Sequence, residues 1–213
     1  MLEELLPSAV RSAEAFTDDA DEACHPGEEH LIASAVPGRR REVITARRCA
    51  REALAALGHA PVAIPRGPRR EPVWPSGVAG SITHCAGFRA AAVVPVERVA
   101  SVGIDAEPHA PLPPRVLGSV TGPGDADLLA RLAVEAPETC WDRVLFSAKE
   151  SVYKAWYPLT GRWLGFEDAS LTFDPPRTAF TARIHLEAEP RLREMRGRYL
   201  VRDGLIVTAV WVD

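Results

Sequence analysis

Two acids stand at alternate positions in Val102-Gly103-Ile104-Asp105-Ala106-Glu107-Pro108. Side chains alternate on an extended backbone, so Asp105 and Glu107 project to the same side. Carboxylates so placed repel each other unless water or a cation lies between them. A hard ion with oxygen ligands, magnesium above all, suits the pair, although a solvated strand end carries the same pattern. A second group lies in Phe146-Ser-Ala-Lys-Glu-Ser-Val-Tyr-Lys-Ala-Trp156. On a helix, Glu150 and Lys154 stand at i and i+4 and share a face. On an open surface they would be an ordinary, weak ion pair. Here Val144, Leu145, Val152, Tyr153 and Trp156 make the helix apolar around them, which points to a lined cleft.

Two further groups suit anions. Gly80-Ser81-Ile82-Thr83-His84-Cys85 reads as a strand ending in a turn. Ser81, Thr83 and backbone N–H groups there can hold a phosphate, and His84 can donate to it. The competing reading of His84 is a half-buried histidine at a strand end. Arginines then recur at 39, 40, 41, 47, 48 and 51 along one helix and at 66, 69 and 70 in the loop beyond it. Arg40, Arg47 and Arg51 share a face with Arg39 at its edge, and guanidinium forks match phosphate oxygens. A solvated helix face in an arginine-biased chain gives the same pattern. The bias is strong: of 25 basic residues only Lys149 and Lys154 are lysines. A coding bias explains the excess of arginine, and the retained lysines mark places where a compact point charge serves better than a planar fork.

Acids for a metal, a lysine and histidine for phosphate, and arginines for a further phosphate suit transfer at a pyrophosphate within a multiply phosphorylated cofactor. A noncatalytic coenzyme A- or nucleotide-binding module would share the arginines and His84. It would not need Asp105, Glu107, Glu150 and Lys154 together. A metal-dependent phosphohydrolase would need the acids and is separated by whether water alone consumes the cofactor.

These residues must be held by a chain of 213 residues, long enough for one large domain or two small halves sharing a core. A formal charge of -4 disfavours nucleic acid held by bulk charge. Cys24, Cys49, Cys85 and Cys140 are scattered, which argues for reduced thiols rather than a zinc site or disulfide framework. No signal peptide and no apolar run of membrane length is read, so a cytoplasmic location is expected. Residues 1–38 read as acidic and loop-rich, and helical spacing runs from about Arg39 to Leu57 with Gly58 as its C-cap. Pro61–Pro75 reads as a loop, followed by strands at Val78–Cys85, Phe88–Pro95 and Val99–Ile104. Pro111, Pro113 and Pro114 mark the best boundary, dividing the chain into halves at 1–108 and 109–213. A helix from Trp141 to Trp156 stops at Pro158, and strands follow at Ala169–Phe173, Thr178–Leu186, Arg198–Val201 and Leu205–Val212, the last two joined by an Asp203-Gly204 turn. One long helix and about three strands per half predict an α+β protein of two similar lobes.

The four groups, in this order, resemble the Sfp-like class of 4′-phosphopantetheinyl transferases, particularly its actinobacterial members. The resembling stretches are Glu71 to His84, Val102 to Pro108 and Phe146 to Pro158, supported by Thr45–Ala50 and Trp163–Asp168. The resemblance implies two α+β lobes related by a pseudo-two-fold axis, with coenzyme A between them. It implies a magnesium ion (manganese as the alternative) on Asp105, Glu107 and the Ala106 carbonyl. It implies Glu150 as metal-associated or as base, Lys154 on the phosphates with Lys149 as companion, and His84 and Thr83 at the phosphates. Arg39 and Arg47 are implied at the 3′-phosphate, and Arg66 and Arg69 in the adenine-side loop, where related chains often carry lysine. Implied partners are apo acyl and peptidyl carrier proteins, met by a monomer with no nucleic acid or membrane involved. Pro111–Leu117, with Leu112, Val116 and Leu117 beside Arg115, offers an apolar contact with a basic rim for such an acidic carrier; the competing reading is a proline-rich linker with its leucines tucked into the core.

Overall fold

The computed structural model describes residues 1–213. A short helix α1 (Leu2–Leu5) and strand β1 (Arg11–Ala15) precede the long helix α2 (Pro37–Ala55), which begins on a proline where no N–H partner is lost. Strands β2 (Val78–Cys85), β3 (Phe88–Pro95) and β4 (Ser101–Pro108) follow. Then come helices α3 (Pro114–Val120), α4 (Asp125–Glu135) and α5 (Trp141–Thr160), and strands β5 (Ala169–Asp174), β6 (Ala179–Ile184), β7 (Glu194–Arg202) and β8 (Leu205–Val212). The strands form two antiparallel sheets, β1-β3-β2 and β4-β8-β7-β6-β5. The α+β expectation holds, with each sheet carrying one long helix: α2 packs on β3 and β1, α5 on β4 and β8.

Several expectations are corrected. Strand β4, placed with the first half by a boundary at 108, is hydrogen-bonded into the second sheet, with Asp105 opposite Thr208 and Glu107 opposite Ile206. The sheets therefore part between Pro95 and Ser101 and hold three and five strands. β1 and α4 lie in stretches read as loop or left unread. β1 has no clean alternation because it is an edge strand over α2, half-buried along most of its length. Pro158 does not stop α5: it sits in the last turn, and the helix ends at Gly161 in the left-handed conformation. Leu112 is not exposed; it is 5% accessible, and its N–H donates to Asp142 Oδ2 at 2.7 Å. Val116 and Leu117 are half-buried on α3 rather than displayed by a loop.

The two sheets meet along β2 and β4, which run parallel without a backbone ladder. Ser81 Oγ accepts from Ile104 N–H at 3.1 Å and Thr83 Oγ1 from Ala106 N–H at 3.0 Å, so hydroxyls of alternate β2 residues stitch the seam. The core is split accordingly. One cluster fills the space between α5 and the larger sheet around Trp156, Leu145 and Val210, and another packs Phe88, Ile104 and Val207 against α1. A smaller one sits under α2 around Cys49, Leu54 and Ile64.

Candidate active site

Helix α5 lies unusually close to β4. A Cβ on Gly103 would fall 2.0 Å from the Ser151 carbonyl, so only glycine permits the approach. Ser147 and Ser151, one turn apart, fix the contact through Thr208: Ser151 Oγ lies 2.6 Å and Ser147 Oγ 3.0 Å from Thr208 Oγ1. This closeness lets Lys154 reach back over the strand. Its ammonium donates to Asp105 Oδ1 at 2.8 Å and to the Ile104 carbonyl at 3.0 Å. Asp105, 6% accessible, also accepts from Ser147 Oγ at 2.8 Å. The sequence pairs Lys154 with Glu150 on one helix face; the Asp105–Lys154 contact, and the parts of Ser147, Ser151 and Thr208, were not read from it. The signal was two hydroxyls at i and i+4 on an otherwise apolar helix face.

Glu107 projects from the same strand face, and Arg143 on α5 holds it at 2.8 Å while also donating to the Ala110 and Pro111 carbonyls. Burial raises the Glu107 carboxyl above its ordinary range, and the charge of Asp105 adds to this. Glu150 is likewise raised, chiefly by burial; Lys154 opposes the rise, and Asp105 and Glu107 reinforce it. The N–H of Ala106 leaves β4 toward β2, and the carbonyl of a strand residue leaves on the same edge, away from the β8 ladder. No three acidic, imidazole or thiol groups close around one point. The donor chemistry nevertheless fits a hard divalent cation: two carboxylates on one strand face, a carbonyl on its open edge, and Glu150 as a third carboxylate within reach of their charge. Engaging it requires Asp105 and Glu107 to leave Lys154 and Arg143.

Lys149 and Thr83 take other roles than expected. The Lys149 ammonium is 3% accessible and its three donors are filled, by Asp125 Oδ2 at 2.6 Å, the Phe166 carbonyl at 2.7 Å and the Val120 carbonyl at 3.1 Å. It fastens α5 to α4 and to the loop at 166 instead of reaching phosphate. Thr83 is buried against β4, where its hydroxyl meets Ala106 and Asp105. Odd residues of β2 face the seam and even ones face away, which turns His84 toward α2.

There the arginines converge. Arg39, Arg47, Arg66, Arg70 and His84 line a pocket of about 310 Å³. Arg39 Nη1 lies 2.9 Å from His84 Nδ1 and 3.0 Å from Glu42 Oε2. Burial, and then the Arg39 charge, push the His84 imidazole down to about 4, so the ring is neutral at neutral pH. Arg47 is nearly buried, donates through Nε to the Ile64 carbonyl at 3.1 Å, and is lowered to about 10 by that burial. Arg70, Pro72 and Ile82 are shared with a larger cleft of about 660 Å³, which Arg69, Glu150, Tyr153 and Lys154 also line. Both are of ligand-binding size. Arg70, passed over for Arg66 and Arg69, stands at the junction with a positive φ of 72°. Beyond Tyr153, whose ring centroid is 5.0 Å from that of Trp163, a smaller recess of about 100 Å³ also reaches Glu150. Trp163 is 63% exposed, a large aromatic at the rim.

The chain is similar to known proteins along nearly its whole length. A family model for the 4′-phosphopantetheinyl transferase N-terminal domain matches residues 27–94, and one for the 4′-phosphopantetheinyl transferase superfamily matches residues 101–208. The chain is 48% identical to 4′-phosphopantetheinyl transferase Npt of Nocardia iowensis over 99% of both chains. It is 48% identical to the transferase Svp of Streptomyces mobaraensis, over 100% of this chain and 89% of that one. To the transferase PptT of Mycobacterium tuberculosis it is 47% identical, over 93% of this chain and 90% of the other. With an arginine pocket and an acid–lysine centre opening on one cleft, and relatives aligned end to end, this chain belongs to the 4′-phosphopantetheinyl transferase superfamily and is an enzyme of that type.

Proposed function

We propose that the protein moves the phosphopantetheine arm of coenzyme A onto a serine of apo acyl and peptidyl carrier proteins, releasing 3′,5′-ADP. The observation that carries this reading is the continuity of the arginine pocket with the cleft holding Lys154 and Glu150. One ligand with a terminal phosphate at one end and a pyrophosphate toward the other would span both. Arg39, Arg47, Arg66 and Arg70 suit the 3′-phosphate, and Arg69 lies along the adenine-side loop. His84 and Lys154 suit the pyrophosphate, with Lys154 exchanging Asp105 for a phosphate oxygen.

Phosphoryl transfer is catalysed mainly by positioning and charge stabilisation. Glu150, half-buried and with a raised carboxyl, is the stronger base for it and takes the serine proton directly or through one water. The serine oxygen attacks the phosphorus that bears the pantetheine, and the bond to the bridging oxygen breaks so that the electron pair leaves with 3′,5′-ADP. Lys154 meets the charge that develops on the phosphoryl oxygens. A magnesium ion held by Asp105, Glu107 and the Ala106 carbonyl would neutralise the pyrophosphate as a Lewis acid. The aromatic wall of Tyr153 and Trp163 is suited to the apolar pantetheine.

Incubation with coenzyme A, magnesium and an apo carrier protein tests this, read by intact mass of the carrier. The expected outcome is a phosphopantetheine increment and stoichiometric 3′,5′-ADP. Loss of coenzyme A with water alone, at a rate independent of carrier, would make the protein a hydrolase instead.

A further inference from the structure

The segment before α2 carries no role in the chemistry, yet it touches the arginine pocket at a point that decides the pocket's shape. Glu28 is 1% accessible, in a turn read from the sequence only as part of an acidic loop. A carboxylate so deeply placed must be answered. Its Oε1 accepts from Arg51 Nη1 at 2.8 Å and from the Ile64 N–H at 2.8 Å. The Ile64 carbonyl, in turn, accepts from Arg47 Nε. Both polar backbone groups of one fully buried residue are thus clamped by charged side chains from two other segments.

The adjacent residue supports this independently. Gly27 has φ of +91°, and a Cβ there would lie 3.2 Å from Ala63 Cβ. The backbone at 27–28 is seated against 63–64 with no room for a side chain. Beyond Ile64 the chain enters the Pro- and Gly-rich loop that delivers Arg66 and Arg70 to the pocket. Within that loop regular pairing is limited to a single Arg66–Pro72 bridge. Leu31, Ser34 and Ala35, just downstream of Glu28, form another wall of the same pocket.

We infer that Glu28 is a positioning residue for the anion pocket: it fixes the root of the arginine-bearing loop at Ile64 and ties down Arg51, one helical turn beyond Arg47 and outside the pocket lining. The inference rests on the proposed reading of that pocket as the 3′-phosphate site. Glu28 touches no substrate; it acts through Arg47, Arg66 and Arg70. Glu28 thus shapes the pocket from outside it, and its charge is answered inside the protein by Arg51 and the Ile64 N–H.

Two variants separate the contributions. Glu28→Ala removes both contacts, whereas Glu28→Gln keeps an oxygen for the Ile64 N–H and loses only the charge facing Arg51. The probe is 3′,5′-ADP in calorimetric titration, alongside hydrogen exchange over residues 61–75. We expect Glu28→Ala to weaken 3′,5′-ADP binding by about tenfold, the scale of one lost hydrogen bond to a charged group. Glu28→Gln should lose less. Exchange should rise over 61–75 while α2 and β3 stay protected, and the rate at saturating coenzyme A should hold. If Glu28→Ala does not fold, Glu28→Gln carries the test through the same exchange readout. Binding within twofold of wild type, or exchange that rises equally throughout the first lobe, would overturn the inference. If the wild-type protein itself ignores 3′,5′-ADP, the reading of the pocket fails and not the clamp.

Discussion

The arginine pocket adjoins the cleft that Lys154 and Glu150 line, and the pocket and the acid centre are built on opposite principles. In the pocket, Arg39, Arg47, Arg66 and Arg70 converge; Arg39 is paired with Glu42 and Arg47 is held through Nε by the Ile64 carbonyl, so the cations outnumber the acid beside them. At the acid centre every carboxylate already has a cation: Asp105 has Lys154, Glu107 has Arg143, and Glu150 feels Lys154. On the proposed reading the first is an anion receptor prepared before its ligand arrives, which reduces the ordering cost of binding. The second is internally neutralised, and it must exchange partners before it can act. Substitutions in the pocket should therefore appear in affinity, and those at the acid centre in rate.

The largest effect is expected at Asp105. Asp105→Asn keeps an oxygen for Lys154 and presents an amide N–H that Ser147 Oγ can accept while it donates to Thr208, so the fold should persist with little change in melting temperature. It removes a charge from the cation site. Loss of a Lewis acid worth several kcal/mol corresponds to a fall in kcat of about a thousandfold or more. Coenzyme A affinity should move far less, because the arginines are untouched. A variant that retains near wild-type kcat and the same magnesium dependence would break the contrast at its acid end.

How far this division could be read from the chain differs between its ends. Asp105, Glu107, Glu150 and Lys154 were legible because strand and helix periodicity fix which side chains share a face. The arginines were legible as a group, yet which of them turn inward was not. Arg48 pairs outside with Glu22 and Glu52, Arg51 with Glu28, and Arg40 and Arg41 are exposed or half-exposed, all set by tertiary neighbours. Lys149 was misread for the same reason. A lysine at a motif position looks like a phosphate ligand until Asp125, 24 residues away, is seen to saturate it. The membership of β4 in the second sheet depends on pairing with β8, about a hundred residues later, and no local pattern reports it. Leu112 looked exposed among prolines, but Asp142 and the core claim it.

A smaller effect sharpens the pocket end. Arg39→Gln and Arg66→Gln should each weaken coenzyme A by about 1.5–3 kcal/mol, the worth of a charge-assisted contact to phosphate. Dephospho-coenzyme A, which lacks the 3′-phosphate, should bind these variants about as well as it binds wild type. The rate at saturation should be little altered. Equal losses for both ligands in calorimetric titration would place these arginines on the pyrophosphate and merge the two ends into one site.

The smallest effect separates the ends without any ligand. His84 has its pKa pushed from 6.5 down to about 4 by burial, so between those values the unfolded chain binds a proton that the folded chain refuses. Stability must then fall as pH is lowered from 6.5, by at most about 1.36 kcal/mol per pH unit from this group, and level off below about 4. Glu107 and Glu150 carry the opposite sign. Their carboxyls are raised, so the folded chain holds protons more tightly than the unfolded one, and these groups add stability as pH falls. Urea unfolding of wild type and His84→Gln between pH 7 and pH 4.5 isolates the first contribution, since the remaining carboxylates cancel in the difference. The stability gap between the two proteins should shift in favour of His84→Gln as pH drops. Saturating 3′,5′-ADP should flatten that shift, because a phosphate beside the imidazole stabilises its protonated form and restores the missing proton. A gap that stays constant with pH would mean that His84 ionises normally, and the receptor end would then lack the neutral, desolvated histidine on which its contrast with the acid centre partly depends.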